Sequence, residues 1–69
     1  MSTDIRVQLN GEPRDLPART TVAALVALLE VRGRYAVEIN GEIVPRSGHA
    51  EHALADGDRV EVVAAIGGG

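Results

Sequence analysis

Polar and apolar residues alternate over residues 5–9, a period of two that predicts a half-buried strand. Asn10-Gly11 follows directly, and this dipeptide favours a tight hairpin because both residues tolerate positive φ. We expect a short return strand over residues 12–16. Pro13 has no N–H to donate to a ladder, so the return strand should lie at a sheet edge.

The period changes to that of a helix at residue 22. Apolar side chains at i, i+3, i+4 and i+7 form one helical stripe of Val22, Leu25, Val26 and Leu29. Leu28 should widen this stripe. Thr20 or Thr21 offers a hydroxyl to the free N–H groups of the helix start. Gly33 is expected to cap the helix end, beside basic neighbours that suit the negative pole of the helix.

The second half of the chain predicts another hairpin. Residues 36–40 read as a third strand, and Asn40-Gly41 repeats the turn signal. The return strand should cover residues 42–44, because Pro45 stops it.

The remaining residues predict a loop and a last strand. Residues 46–56 should be irregular or form one helical turn, with Leu54 buried against the core. Residues 59–66 predict the last strand, with Val60 and Val62 on the core side.

The element order is therefore hairpin, helix, hairpin, strand, which predicts a two-layer α+β domain. The last strand can insert beside the first, parallel to it, through a right-handed crossover. That arrangement is the ubiquitin-like β-grasp, a mixed sheet of four to five strands with one helix packed on one face. We assign residues 1–66 to this domain and residues 67–69 to a flexible glycine tail.

Composition narrows the function classes. The chain has 69 residues, a net charge of −3 and no cysteine, which leaves no thiol for catalysis or metal binding. Its seven basic residues are interspersed with ten acidic ones, so no basic stripe suits nucleic acid. No apolar run suits a membrane span. We expect a small cytoplasmic protein with little room for a deep ligand pocket.

The glycines that follow the last strand are the most informative candidate for chemistry. Without Cβ atoms, Gly67, Gly68 and Gly69 can pass through a narrow channel and reach about 10 Å beyond the sheet. A carboxylate at Gly69 is a poor electrophile until a partner enzyme activates it, for which this chain has no phosphate-binding loop. An ordinary frayed terminus is the simpler alternative.

Other side chains offer weaker signals. Val63, Ala65 and Ile66 could form an apolar docking surface beside the tail. His49 and His52 are too few for a zinc site, so we expect no metal. Glu38 and Glu42 flank the second hairpin and could act as a carboxylate pair, although solvated charges are the simpler interpretation. Arg46 could contact a partner or fix its loop.

Three stretches closely resemble the ThiS family of sulfur carriers in thiamine biosynthesis. They are Asn-Gly-Glu-Ile-Val-Pro-Arg-Ser at 40–47, Asp-Gly-Asp-Arg-Val-Glu-Val at 56–62 and Ala-Ile-Gly-Gly-Gly at 65–69. The Thr21-Val22-x-x-Leu25 helix start is similar too. His49 departs from the bulky aromatic residue expected there, and Gly67 adds a third glycine to the usual two.

The resemblance implies a cycle centred on Gly69. A ThiF-like adenylating enzyme would use ATP and magnesium to adenylate its carboxylate. A cysteine desulfurase relay would supply the sulfur that makes a thiocarboxylate, and thiazole synthase (ThiG) would take that sulfur. Gly67 and Gly68 would enter the partners' active sites. The carrier would be a co-substrate rather than an enzyme, and would bind no cofactor itself.

Two alternatives share the terminal chemistry. A small subunit of molybdopterin synthase, like MoaD, would carry sulfur to a catalytic large subunit. A ubiquitin-like modifier would join Gly69 to a target lysine, whereas a plain interaction module would bind without the glycines.

Overall fold

A computed structural model describes residues 4–64 as one mixed five-stranded sheet with a helix on one face. Residues 1–3 and 65–69 lie outside the described part. In chain order the elements are β1 (Asp4–Leu9), β2 (Glu12–Pro17), α1 (Val22–Leu29), β3 (Tyr35–Ile39), β4 (Glu42–Ile43), a 3-10 turn (Arg46–Gly48) and β5 (Arg59–Ala64).

The sheet has the strand order β2-β1-β5-β3-β4, with β5 at its centre. β5 runs parallel to β1, where Leu9 lies opposite Val60. On its other side β5 runs antiparallel to β3, where Val37 lies opposite Val62. The predicted parallel insertion of the last strand beside the first is confirmed, and the fold is the ubiquitin-like β-grasp.

Both Asn-Gly hairpins form for the expected reason. Asn10 and Asn40 have φ of 50° and 52°, and the glycines that follow have φ of 85° and 87°. Two consecutive residues with positive φ join β1 to β2, and two more join β3 to β4. Pro13 lies in β2, which is an edge strand as predicted.

The core lies between α1 and the inner face of the sheet. Its buried apolar residues are Val7, Leu9, Leu16, Val22, Leu25, Val26, Val37, Ile39, Leu54 and Val60. Leu54 comes from the loop before β5 and closes one end of the core, as expected. No helix in residues 4–64 is long and apolar enough to cross a membrane.

The structure corrects two expectations about the helix. Leu28 does not widen the core stripe and is 56% exposed, because it lies about 200° around the helix from Val26. Gly33 is not the cap. The helix ends at Leu29, and Glu30 adopts the left-handed conformation and donates its N–H to the Ala27 carbonyl. At the other end, Thr21 accepts from the Ala24 N–H, which makes Thr21 the N-cap.

Candidate functional site

The strand that precedes the glycines, β5, is the central strand of the sheet and pairs with both β1 and β3. β5 has neighbours on both sides at its start, but Val63 and Ala64 pair only with β3 within the described part. Within residues 4–64, the edge of β5 that faces β1 therefore has no strand partner at Val63 and Ala64. Ala65, Ile66 and the glycines Gly67, Gly68 and Gly69 lie outside the described residues, so their predicted roles stay predictions.

Two asparagine side chains hold β5 in place. The Asn10 Oδ1 atom accepts from the Val62 N–H at 2.9 Å, and the Asn40 Oδ1 atom accepts from the Arg59 N–H at 2.9 Å. The Asn40 amide also donates to Asp58 Oδ1 at 3.0 Å. The two hairpin turns therefore act as clasps on the terminal strand, in addition to reversing the chain.

This clasp role was missed in the sequence. The Asn-Gly dipeptides predict the turns from their φ preferences, and this prediction assigns no partner to the asparagine side chains. A usable signal existed, because either turn could have been closed by Gly-Gly, and asparagine adds a side chain that can bond a neighbouring strand.

Replacing Asn40 by glycine should weaken the attachment of β5. Asn40→Gly keeps the positive φ but removes both side-chain hydrogen bonds, so we expect a loss of about 1–3 kcal/mol in the free energy of unfolding. Urea denaturation measures it. Glu30→Gly is the matched control, because Glu30 also has a positive φ of 54° and its carboxylate has no hydrogen bond within residues 4–64. Equal losses in both variants would show that the clasp contributes nothing.

The open face of the sheet, away from α1, carries two kinds of charge pair. On β1 and β2, Arg6 lies opposite Asp15 and its Nε atom donates to Asp15 Oδ1 at 2.7 Å. This hydrogen bond lowers the pKa of Asp15 and raises that of Arg6. On β3 and β5, Glu38 lies opposite Glu61.

The carboxylate pair suggested by the sequence is not formed. Glu42 lies opposite Ile39, a core residue, whereas Glu38 lies opposite Ile43 on the open face. Glu38 and Glu42 are therefore on different faces of the sheet. The structure brings Glu38 to Glu61 instead, a contact that depends on the pairing of β3 with β5.

His49 and His52 hold the start of the helix rather than meeting at a shared site. The His49 carbonyl accepts from the Ala23 N–H and the His52 carbonyl accepts from the Val22 N–H, each at 2.9 Å. The His49 ring is buried and donates from Nε2 to the Val44 carbonyl at 2.9 Å. Within residues 4–64 no three His, Cys, Asp or Glu side chains cluster as metal ligands do.

The loop around His49 is completed by aromatic and cationic contacts. The Tyr35 ring lies 6.0 Å from the His49 ring, between centroids, and the Arg46 guanidinium lies 4.6 Å from the Tyr35 centroid. His49 therefore fills the place where a bulky aromatic was expected. Of the two roles considered for Arg46, this cation–π contact favours fixing its own loop.

Comparison with known proteins decides the family. The sequence profile of the ThiS family matches residues 7–69. The chain belongs to the ThiS family. A crystal structure of the thiamine biosynthesis protein ThiS from Geobacter metallireducens superposes with a TM-score of 0.77 at 30% identity. It covers 94% of this chain and 100% of that one.

Relatives of this ThiS-family chain include longer proteins. It is 50% identical over 66 residues to a thiazole synthase of Paramagnetospirillum magneticum, matching 94% of this chain and 20% of that protein. The chain thus spans about a fifth of the length of the curated thiazole synthases it matches. It is also 30% identical to the uncharacterised protein ycf40 of Porphyra purpurea, over 100% of this chain and 99% of that one.

Proposed function

We propose that this ThiS-family chain is the sulfur carrier of thiazole formation in thiamine biosynthesis. Gly69 supplies the carboxylate that carries the sulfur, and Gly67 and Gly68 give it reach. The observation that carries the proposal is the position of β5: a central strand, clasped by both hairpin turns, that leads into the triglycine segment. Family membership over residues 7–69 supports the same function.

The chemistry at Gly69 needs enzymes outside this chain. An adenylating enzyme like ThiF, with ATP and magnesium, joins the carboxylate to AMP and releases pyrophosphate. A persulfide of the cysteine desulfurase relay then attacks the acyl-adenylate and expels AMP, which gives an acyl disulfide. A thiol of the relay cleaves that acyl disulfide reductively, so that the thiocarboxylate is released and the thiol ends in a disulfide. The chain contributes a carboxylate and a folded body but no catalytic group, so it is a co-substrate.

Thiazole synthase is the proposed acceptor of the sulfur. Support comes from the two curated thiazole synthases, from Paramagnetospirillum magneticum and Magnetococcus marinus, which contain a region 50% and 38% identical to this chain. A region similar to this chain thus lies in the same polypeptide as a synthase. Such a fusion would be favoured if the carrier and the synthase meet repeatedly to function.

Val63 supports a docking role for the end of β5. It faces away from the helix and is 55% exposed, next to the point where the described chain ends. Such a side chain can be buried against a partner without disturbing the core. Ala65 and Ile66 belong to the same proposed surface.

Intact-mass spectrometry tests the proposal. Incubated with its adenylating enzyme, ATP, magnesium and a sulfur donor, the chain should gain the mass difference between sulfur and oxygen, at one site. Omitting ATP is the control, because an unactivated carboxylate should not react. No mass gain with an adenylating enzyme proven active on another carrier would refute the function.

A further inference from the structure

The two hairpin turns carry the same reactive dipeptide in nearly the same local sequence. The first turn reads Leu-Asn-Gly-Glu at 9–12, and the second reads Ile-Asn-Gly-Glu at 39–42. Asparagine followed by glycine is the dipeptide most prone to deamidate, because glycine has no Cβ to hinder attack by its own nitrogen. The intrinsic reactivity of the two sites is therefore matched, and a difference between them must come from the fold.

Deamidation begins at the glycine nitrogen. That nitrogen attacks the asparagine Cγ and forms a new C–N bond, and the side-chain amide leaves as ammonia with the proton that the glycine N–H gives up. Water then opens the five-membered succinimide by adding to one of its two carbonyl carbons and breaking the ring C–N bond there. One choice gives aspartate, and the other gives isoaspartate, in which the backbone runs through Cβ. Water is the only other reactant.

Both turns are open to this reaction. Asn10, Gly11, Asn40 and Gly41 are all exposed. A Cβ added to either glycine would have no neighbour within 4 Å, so the space around each turn is free. Neither glycine N–H donates a hydrogen bond to another residue of 4–64. Access to the nucleophile is therefore the same at the two sites.

The asparagine side chains differ in how firmly the fold holds them. Each Oδ1 atom accepts one backbone N–H of β5 at 2.9 Å. The Asn40 amide nitrogen also donates to Asp58 Oδ1 at 3.0 Å, whereas that of Asn10 has no acceptor within residues 4–64. Asp58 is itself fixed, because its Oδ2 atom accepts from the Ala55 N–H at 2.9 Å. Asn40 is thus held at both ends of its amide and Asn10 at one.

These hydrogen bonds oppose the reaction, because the side chain must swing onto the glycine nitrogen before Cγ can be attacked. Asn10 gives up one bond to a neutral N–H. Asn40 gives up a bond of that kind and a second one to a carboxylate, and hydrogen bonds to charged groups are the stronger kind. The barrier should therefore be higher at Asn40 by the cost of breaking its bond to Asp58.

We infer that Asn10 is the site at which the folded chain deamidates, and that the hydrogen bond from Asn40 to Asp58 protects the second turn. The modification is spontaneous succinimide formation with water as the reactant. It does not depend on the proposed function.

Modification at residue 10 also affects the strand that precedes the glycines. The aspartate product keeps an oxygen that can accept from the Val62 N–H, and it adds one negative charge. The isoaspartate product carries an extra backbone carbon through a two-residue turn whose geometry depends on positive φ at both positions. The turn and its clasp on β5 should then be lost together.

Peptide mapping of the folded chain tests the inference. After incubation at mildly alkaline pH, trypsin places the two sites in separate peptides, residues 7–14 and 35–46, because an arginine precedes and ends each. Mass spectrometry measures the conversion of amide to acid, and electron-transfer fragmentation distinguishes isoaspartate from aspartate. Asn10 should convert at least about tenfold faster than Asn40, since only Asn40 must break a charged hydrogen bond.

Matched variants test the protective bond. Asp58→Ala should raise the rate at Asn40 toward that at Asn10, while the rate at Asn10 stays as in wild type. Asp56→Ala is the control: it removes a carboxylate of the same loop that accepts from the Arg6 N–H and bonds neither asparagine, so both rates should be unchanged. In the urea-unfolded wild-type chain the two sites should convert at similar rates, because their local sequences match.

Three results would overturn the inference. Equal rates in the folded wild-type chain, or faster conversion of Asn40, would show that the bond to Asp58 gives no protection. A rise at both sites in Asp58→Ala would attribute the protection to overall stability. Absence of conversion at Asn10 in the folded chain, over the time in which the unfolded chain reacts, would show that the single bond to β5 already prevents the reaction.

Discussion

Converting the Gly69 carboxyl to an amide should abolish sulfur loading completely. The amide has no anionic oxygen to attack the α-phosphate of ATP, so no acyl-adenylate forms and sulfur has no activated carbon to reach. The folded body is unchanged, and binding to the adenylating enzyme should persist. Intact-mass spectrometry of the amide, prepared by peptide ligation and incubated with enzyme, ATP and sulfur donor, measures the effect.

The matched control is the free acid made by the same ligation, which should load as the recombinant chain does. Removing one glycine is a different experiment. The three glycines are consecutive, so any single deletion gives the same chain, which still ends in Gly-Gly and has its carboxylate about 3.5 Å nearer the body. Loading should fall but not vanish. Undiminished delivery of sulfur by the amide would refute a role for the carboxylate.

Local signals in the sequence predicted most of the fold. Each hairpin is encoded by an Asn-Gly pair whose φ values need no distant contact, and α1 begins where Thr21 offers an N-cap. The place of β5 follows from one rule on crossover handedness. These features depend on residues close in the chain or on general topology, and the structure confirms them.

The sequence failed where the outcome depends on distant neighbours. The Glu38–Glu61 contact exists only because β3 pairs with β5 in one register, which alternation alone does not specify. The hydrogen bonds that the Asn10 and Asn40 side chains accept from β5 likewise depend on where β5 lies. The helix end is a local exception: Glu30 adopts the left-handed conformation that glycine adopts more readily, so Gly33 is not needed as a cap.

The candidate site also has features that the sequence predicts and features that only the structure shows. The triglycine motif by itself leaves a reactive terminus and a frayed end as alternatives. The carrier role follows from the resemblance to the ThiS family, and the family comparison confirms that membership. Val63, the described member of the predicted docking set, is exposed on the open face, and its docking role stays a prediction. The pairing of Glu38 with Glu61 cannot be predicted from the sequence, because ten acidic residues are spread along the chain and only the sheet register shows which of them lie opposite each other.

Leu25→Ala should cause the largest loss of stability among single substitutions in α1. The Leu25 side chain is fully buried between the helix and the sheet, with 0% exposure. Truncation in such a site costs about 2–5 kcal/mol, because the cavity left behind closes only in part. A domain of this size has about 3–10 kcal/mol in total, so much of the population should unfold at 37 °C. Urea denaturation followed by circular dichroism measures the loss.

Leu28→Ala is the matched control, since it makes the same chemical change in the same helix. Leu28 is 56% exposed, and alanine has the higher helix propensity, so we expect a change within about 0.5 kcal/mol. The same two variants also test whether sulfur loading depends on the folded state of the chain. Leu25→Ala should lower sulfur loading in proportion to the unfolded fraction, because an unfolded body cannot dock on the adenylating enzyme. Leu28→Ala should load normally. Equal destabilisation by the two substitutions would mean that α1 packs through both faces, and that the helix is not arranged as the structure has it.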